Sequence, residues 1–454
     1  MKCVLSTLAL IAIVSSISCS RGDESAGGAT EESAAATRPA AGALDMSDLG
    51  KVRRQFDEMS ADQAGQYLID PKSQEFGLAL RSMRKKGHAA IPHMVKLMAR
   101  GDLGVHWRAP QLTILALGDT ALPVLIKLID SENPHTRMKA VWALEERQEP
   151  CKAAIEPLLR VLRSGEQDLA ERAARALACN GKGAAAAVGH MIPLAFKVPW
   201  QSHGVCRSVD AIGLSPDWIP SVIQHVAIAE SNPKNTDFRV FVGARLLAAA
   251  GKDGTAGITD ALAHSSPAVR RAAAQAVGEL KTQARTEAME KALNAALGDD
   301  TVRVDAAAAL IAIGASAKRA VAGLIRNLES GEVSILRTTQ LRYTCPAADV
   351  LARIPEALPK LIDGLNSDKE IVRIGCIRAM PTAKASSRLV ASKLKELLAR
   401  SKSQREQEFI VMKLHQVDPA WLRRAAGGLN ATRWPPTHWH AATRTAVATV
   451  RAEK

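Results

Sequence analysis

Apolar positions along the chain recur with a helical period. Between residues 269 and 280 they fall at Val269, Ala272, Ala273, Ala276, Val277 and Leu280, three and four apart. Arg271, Gln275 and Glu279 take the opposite side at i, i+4 and i+8. The pattern V-R-x-x-A-A-x-A-[LV] returns at residues 302–310 and, more loosely, at 372–380. A second kind of apolar run precedes these segments, opened by a proline: Ile91-Pro92, Leu122-Pro123, Ile192-Pro193, Ile219-Pro220 and Leu358-Pro359. Proline is tolerated in the first turn of a helix, where its missing N–H has no helical partner to lose. Runs at 321–325 and 390–398 keep the spacing without proline. Pro92, Pro123, Pro157 and Pro193 are separated by 31, 34 and 36 residues.

Turn signals fall between the two kinds of run. Ser265-Ser266-Pro267, Asp299-Asp300 and Ser367-Asp368 are N-cap signals, and Gly181, Gly251 and Gly314 close the second runs. Strand signals are sparse. The pattern predicts an all-α solenoid of antiparallel helix pairs, a repeat architecture in which each unit packs on its neighbours and the stack offers an extended binding surface.

The stack occupies residues 87–430, with about ten pairs between Ser82 and Asp418. Segments 206–213 and 337–355 depart from the pattern and read as irregular junctions or bends. Residues 51–86 form an N-terminal helical cap, in which Ser60-Ala61-Asp62-Gln63 has the form of a capping box. The tail, 431–454, fits no repeat and is expected to fold back over the last one.

Residues 1–18 have the layout of a signal peptide: Lys2, an apolar run at 4–14, then small residues. Cys19 follows directly and resembles the lipobox cysteine of bacterial lipoproteins, although Ser16 stands where that family usually has Leu. The resemblance implies lipid attachment at Cys19, export, and anchoring to an envelope membrane. The apolar run is well short of the ~20 residues that span a bilayer. Residues 19–50 read as a flexible tether with little to bury.

Composition refines the picture. Aromatics are 3% and hydrophobic residues 47% of the 454, so burial rests on Ala, Leu, Ile and Val, and Ala suits closely packed helices. The chain carries +14. Six acidic against two basic side chains give the tether −4, and Lys2 adds +1 ahead of it, so residues 51–454 carry +17. A strongly basic body suits an anionic partner or membrane surface, or is simply a well-solvated surface.

The recurring units resemble HEAT repeats, most closely the short HEAT-like repeats named after phycobilisome lyases. In such repeats the arginine after the first Val pairs with an acidic or loop group of the adjacent unit. Arg270, Arg303 and Arg373 hold that place, and Arg137 and Arg239 are assigned to it too. The second helices of such solenoids line the concave face. Here the positions matching Gln275 are Trp142, Arg175, Ala308 and Arg378, and those matching Arg271 are Met138, Glu171, Val304 and Ile374. Met138, Trp142, Arg175, Arg271, Gln275 and Arg378 are therefore the candidate partner-binding residues. The competing expectation tucks Trp142 against a neighbouring helix and leaves the arginines solvated.

No catalytic constellation stands out: no Gly-rich phosphate loop, no H-E-x-x-H, no C-x-x-C. HEAT-repeat hydroxylases bind iron through His-Glu dipeptides, and none of the eleven His here precedes Glu. Chromophore lyases and alkylpurine DNA glycosylases use similar stacks, but export separates this chain from pigment and genome. Thr437-His438-Trp439-His440 has ligand-like spacing without evident third and fourth ligands. Beyond Cys19 the cysteines are 151, 179, 206, 345 and 376. Cys206 and Cys376 read as small buried apolar residues. Cys151 and Cys179 fall at ends that an antiparallel pair brings together, which would allow a disulfide in an oxidising compartment. Three readings remain, the first two of different classes: a non-enzymatic, envelope-anchored scaffold for a protein partner, without cofactor, metal or small-molecule substrate; and a binder of an anionic glycan, lipid headgroup or nucleic acid. An enzyme with an unseen site is the third.

Overall fold

A computed structural model describes residues 48–197, 199–228, 235–335, 341–425 and 439–453. The chain divides into two compact units, Met1–Glu58 and Met59–Lys454. In the first, helix α1 (Leu49–Glu58) buries Val52 and Phe56 at i and i+4. It begins two residues inside the stretch assigned to the tether. The signal peptide, Cys19, and Thr437 with His438 lie outside the described residues.

The second unit is an all-α solenoid of helix pairs. They are α2 (Ala61–Gly65) with α3 (Gln74–Lys85), α4 (Ile91–Met98) with α5 (Ala109–Leu115), α6 (Leu122–Leu128) with α7 (Pro134–Arg147), and α8 (Ile155–Arg163) with α9 (Gln167–Ala178). Then come α10 (Val188–Ala195) with α11 (Pro199–Ile212), α12 (Ile219–Ala227) with α13 (Thr236–Ala248), α14 (Thr255–Ala261) with α15 (Pro267–Leu280), and α16 (Glu287–Ala296) with α17 (Arg303–Ala312). The series ends with α18 (Val321–Asn327) and α19 (Pro346–Leu351), α20 (Leu358–Gly364) and α21 (Glu370–Ala379), α22 (Lys384–Arg400) and α23 (Gln404–Val417), and α24 (Pro419–Ala425) with α25 (Trp439–Ala452). Each second helix from α3 to α23 packs on the next, so these helices form one continuous row.

The core is the stripe read from the periodicity. Val269, Ala272, Ala273, Ala276, Val277 and Leu280 are all buried, as is Ala274. Small side chains let the second helices approach, and α13, α15 and α17 pack most closely. Truncating a buried Leu such as Leu310 to Ala would cost about 2–5 kcal/mol. Local signals agree with this packing. Ser60 and Gln63 form the reciprocal capping box, Ser266 caps α15 by accepting from the Val269 amide, and Gly181, Gly251 and Gly314 have positive φ at their turns.

The motif arginine makes a repeated contact. Arg137, Arg270 and Arg373 each donate to the carbonyls six and five residues back, Ser131 and Glu132, His264 and Ser265, Ser367 and Asp368. Each also reaches an acid of the next unit: Glu166, Asp299 and Glu406 respectively. Arg303 bonds the Leu297 and Gly298 carbonyls and Asn327, and lies against Gly323, where a Cβ would overlap its guanidinium. Burial opposes ionisation of Asp299, but hydrogen bonds from Thr301 and Arg270 outweigh it and hold its carboxyl below the usual range.

Five expectations need correction. Arg239 does not share the register of Arg270: aligning the two sets buried Ala244 at the place of half-exposed Gln275, and Arg239 donates to the His225 carbonyl of α12 at 2.7 Å and lies over the Phe196 ring. Pro193 sits inside α10 rather than in its first turn, because that helix already begins at Val188. Segment 206–213 is no irregular junction, since α11 runs unbroken to Ile212 and packs on α9 and α13. The segment around 337–355 contains part of an antiparallel hairpin, β1 (Glu332–Ile335) with β2 (Leu341–Thr344). Its register pairs Val333 with Tyr343 and Ile335 with Leu341, an apolar alternation too short to stand out against the helical background. Cys151 and Cys179 are free thiols: the Cys151 amide donates to Asn180 Oδ1 at 2.8 Å, and Cys179 Sγ faces the Arg175 carbonyl.

The tail helix α25 buries Ala446, Val447 and Val450 and packs against α22, α23 and α24. Among the described residues no single helix is long and apolar enough to cross a membrane.

Candidate partner-binding face

The row of second helices exposes one side-chain stripe per helix, and helical spacing places the stripes side by side. On α7 it carries Met138, 40% exposed, and Trp142, half-buried. The Trp142 ring is already engaged. Trp107 packs on it with centroids 4.1 Å apart, the Arg172 guanidinium of α9 lies 3.8 Å from its centroid, and Nε1 donates to Glu146 at 3.1 Å. Such contacts make the ring a pillar between units. Met138 is the side chain left open to solvent beside it.

On α9, Arg175 forms an ion pair with Glu145 at 2.8 Å and donates to Glu171 at 3.1 Å. Burial pushes the Glu171 carboxyl above its usual range, with Arg175 and Arg172 pulling the other way. On α15, Arg271 bonds Asp237 of α13 at 2.9 Å and Asp305 of α17 at 3.1 Å, and Gln275 donates to Asp305 at 3.0 Å. Burial disfavours the charged form of Arg271, but those two carboxylates outweigh it and raise its pKa above the usual value. Farther along, Arg378 of α21 bonds Asp349 of α19 at 2.9 Å. Val304 and Ala308 of α17 are half-buried, as the column requires, but Ile374 is buried and leaves it.

The candidate residues therefore lie on one row but not in one pocket, and most are tied to each other's neighbours. Arg108–Glu146 and Arg245–Glu279 complete the network. Among the described residues, six arginines of this network meet seven carboxylates. These pairs balance one another, so they carry none of the +17 excess of residues 51–454. Part of it stands on the short turns that lead into first helices, where Lys152, Lys182, Lys252 and Lys318 are exposed.

Sequence reasoning missed Phe241. Aligning Arg239 with Arg270 sets Ala244 opposite Gln275, yet Ala244 is buried and Phe241 is 47% exposed. The true stripe of α13 is Asp237, Phe241 and Arg245. The available signal was the exposed run D-x-x-x-F-x-x-x-R, masked by an arginine in the wrong register. Trp107 and Arg172 were missed as the partners of Trp142. Among the described residues no group of three or more His, Cys, Asp or Glu could hold a metal ion.

Residues 91–178 match the HEAT repeats family. These comprise the units from α4 to α9. Among curated proteins, none matches the chain. Solved structures are similar to the chain at low identity and low TM-score. Kap121p bound to Nup53p is 12% identical with a TM-score of 0.42, covering 83% of this chain and 51% of its own. An engineered protein is 16% identical with a TM-score of 0.27, covering 86% and 98%. Human deoxyhypusine hydroxylase is 20% identical with a TM-score of 0.22, covering 73% and 96%. The chain thus spans about half the length of the Kap121p chain.

Proposed function

We propose that this protein is a non-enzymatic scaffold that binds a protein partner through its row of second helices, which by resemblance to HEAT solenoids is the concave face. The observation that carries this reading is the charge balance of that row. Its ions neutralise one another while Met138 and Phe241 remain open to solvent. A surface of paired ions with isolated apolar side chains suits a protein interface better than a polyanion, which needs unpaired cations. The second reading, a binder of an anionic glycan, lipid headgroup or nucleic acid, is favoured by the exposed lysines of the turns. We further propose that a lipid on Cys19 holds the protein at an envelope membrane and that the tether gives it reach.

The test is crosslinking in intact cells followed by purification and mass spectrometry. Wild type is compared with a face variant (Met138→Ala, Phe241→Ala, Arg378→Ala) and a turn variant (Lys152→Glu, Lys182→Glu, Lys252→Glu, Lys318→Glu). One dominant protein lost only from the face variant is the expected result. A glycan or nucleic acid released by salt and lost from the turn variant would overturn the scaffold reading. Labelling with an alkyne fatty acid, absent in Cys19→Ser, tests the anchor.

A further inference from the structure

Phe241 is 47% exposed, more than any other Phe, Tyr or Trp whose side chain the structure describes. It projects from α13 one turn from Asp237 on one side and from Arg245 on the other. Both neighbours are tied across to α15, Asp237 to Arg271 at 2.9 Å and Arg245 to Glu279 at 3.2 Å. Both pairs are lopsided. Asp237 is 88% exposed against 28% for Arg271, and Glu279 is 42% exposed against 29% for Arg245. The charge shown to solvent around the ring is therefore carboxylate, although the chain as a whole is basic. Gln275, on the facing helix, is committed to Asp305. On the other flank α11 exposes Arg207 and Asp210, which cancel.

We propose that Phe241 anchors a protein segment that lays an apolar side chain against the ring and carries Lys or Arg on both sides of it. The proposal rests on the second-helix row being the partner-binding face, and adds where the contact centres and what the partner must look like. An exposed ring has apolar area to bury and makes no polar demand, and a surrounding rim of satisfied polar groups excludes water as the contact forms. Asp237 and Glu279 attract the flanking cations and repel acidic segments, which sets register and selectivity. The positive body does not override this, because at physiological salt its field is screened beyond about 8 Å.

The test is selection of a random twelve-residue peptide library displayed on phage against the full chain, with each enriched peptide then measured on Phe241→Ala. The substitution removes an exposed ring, and an unchanged melting curve verifies the fold. The expected result is a family of peptides with an apolar residue between Lys or Arg residues, binding Phe241→Ala at least tenfold more weakly. Asp237→Asn with Glu279→Gln should reduce the preference for basic flanks at least fivefold. No enrichment, acidic flanks, or equal binding to Phe241→Ala would overturn the proposal. So would a dimer in sedimentation that Phe241→Ala dissolves, which would make the ring a contact between copies of this chain. If the face variant loses its crosslinked partner but Phe241→Ala alone does not, the anchor falls and the face stands. If neither loses it, both fall.

Discussion

Arg271 and Asp305 join α15 to α17 at 3.1 Å, and the same guanidinium bonds Asp237 of α13 at 2.9 Å, so one side chain links three consecutive units. Hydrogen bonds to charged groups contribute about 1.5–3 kcal/mol each, and an acid left half-buried without its partner adds a penalty. Arg271→Ala should cost about 2–3 kcal/mol. Because a solenoid's stability is a sum of units and interfaces, the loss should centre on α13, α15 and α17 in hydrogen exchange. Arg271→Lys should restore little, since a compact ammonium on a flexible stem lacks the planar guanidinium fork that reaches carboxylates on both neighbouring helices. Wild-type exchange in Arg271→Lys would contradict this.

Trp142 should behave as a structural residue. Trp142→Ala should destabilise by about 3 kcal/mol, at the low end for burying and stacking an aromatic ring. Met138→Ala should leave the urea midpoint unchanged and weaken partner binding alone. Equal effects of the two substitutions on stability would show that the ring is not held as Trp107 and Arg172 hold it.

Lys413 donates to the Arg378 and Met380 carbonyls at 3.1 and 2.9 Å. Burial, with Arg378 nearby, pushes its ammonium down to about 8. A lysine lowered on folding leaves the folded state with fewer bound protons than the unfolded state between pH 8 and about 10.4. Stability therefore rises with pH through that window, and the penalty is fully present below it. The Tm of wild type should rise relative to Lys413→Met between pH 8 and 10. Parallel curves would refute the burial of this ammonium.

Cys151 and Cys179 are partly exposed, whereas Cys206, Cys345 and Cys376 are buried. Burial pushes the Cys206 and Cys376 thiols up to about 12. A maleimide at pH 7.5 should label Cys151 and Cys179 in the native protein and reach the others only on unfolding. Failure of both to label without a reductant would restore the disulfide.

The periodicity made the fold legible, since burial of Val269, Ala272, Ala273 and Ala276 follows directly from spacing. The arginine contacts of Arg137, Arg270 and Arg373 were legible for the same reason: a fixed place in a repeat repeats its neighbours. The face was legible only in part. Which side chain stands open depends on the rotation of each helix, and one misleading arginine, Arg239, was enough to hide Phe241. The partners of Trp142 could not be read either, although its tucking against a neighbour was one of the two expectations, because Trp107 and Arg172 come from the units on either side. The hairpin of β1 and β2 escaped because four residues per strand carry too few alternations.

The most direct measurement of the central claim is site-specific photocrosslinking in living cells, with benzoylphenylalanine at position 241 on the second-helix row or at position 252 on a turn. The account predicts one discrete protein adduct from position 241 and none from position 252. Adducts from position 252 alone, or adducts to glycan or nucleic acid, would contradict it.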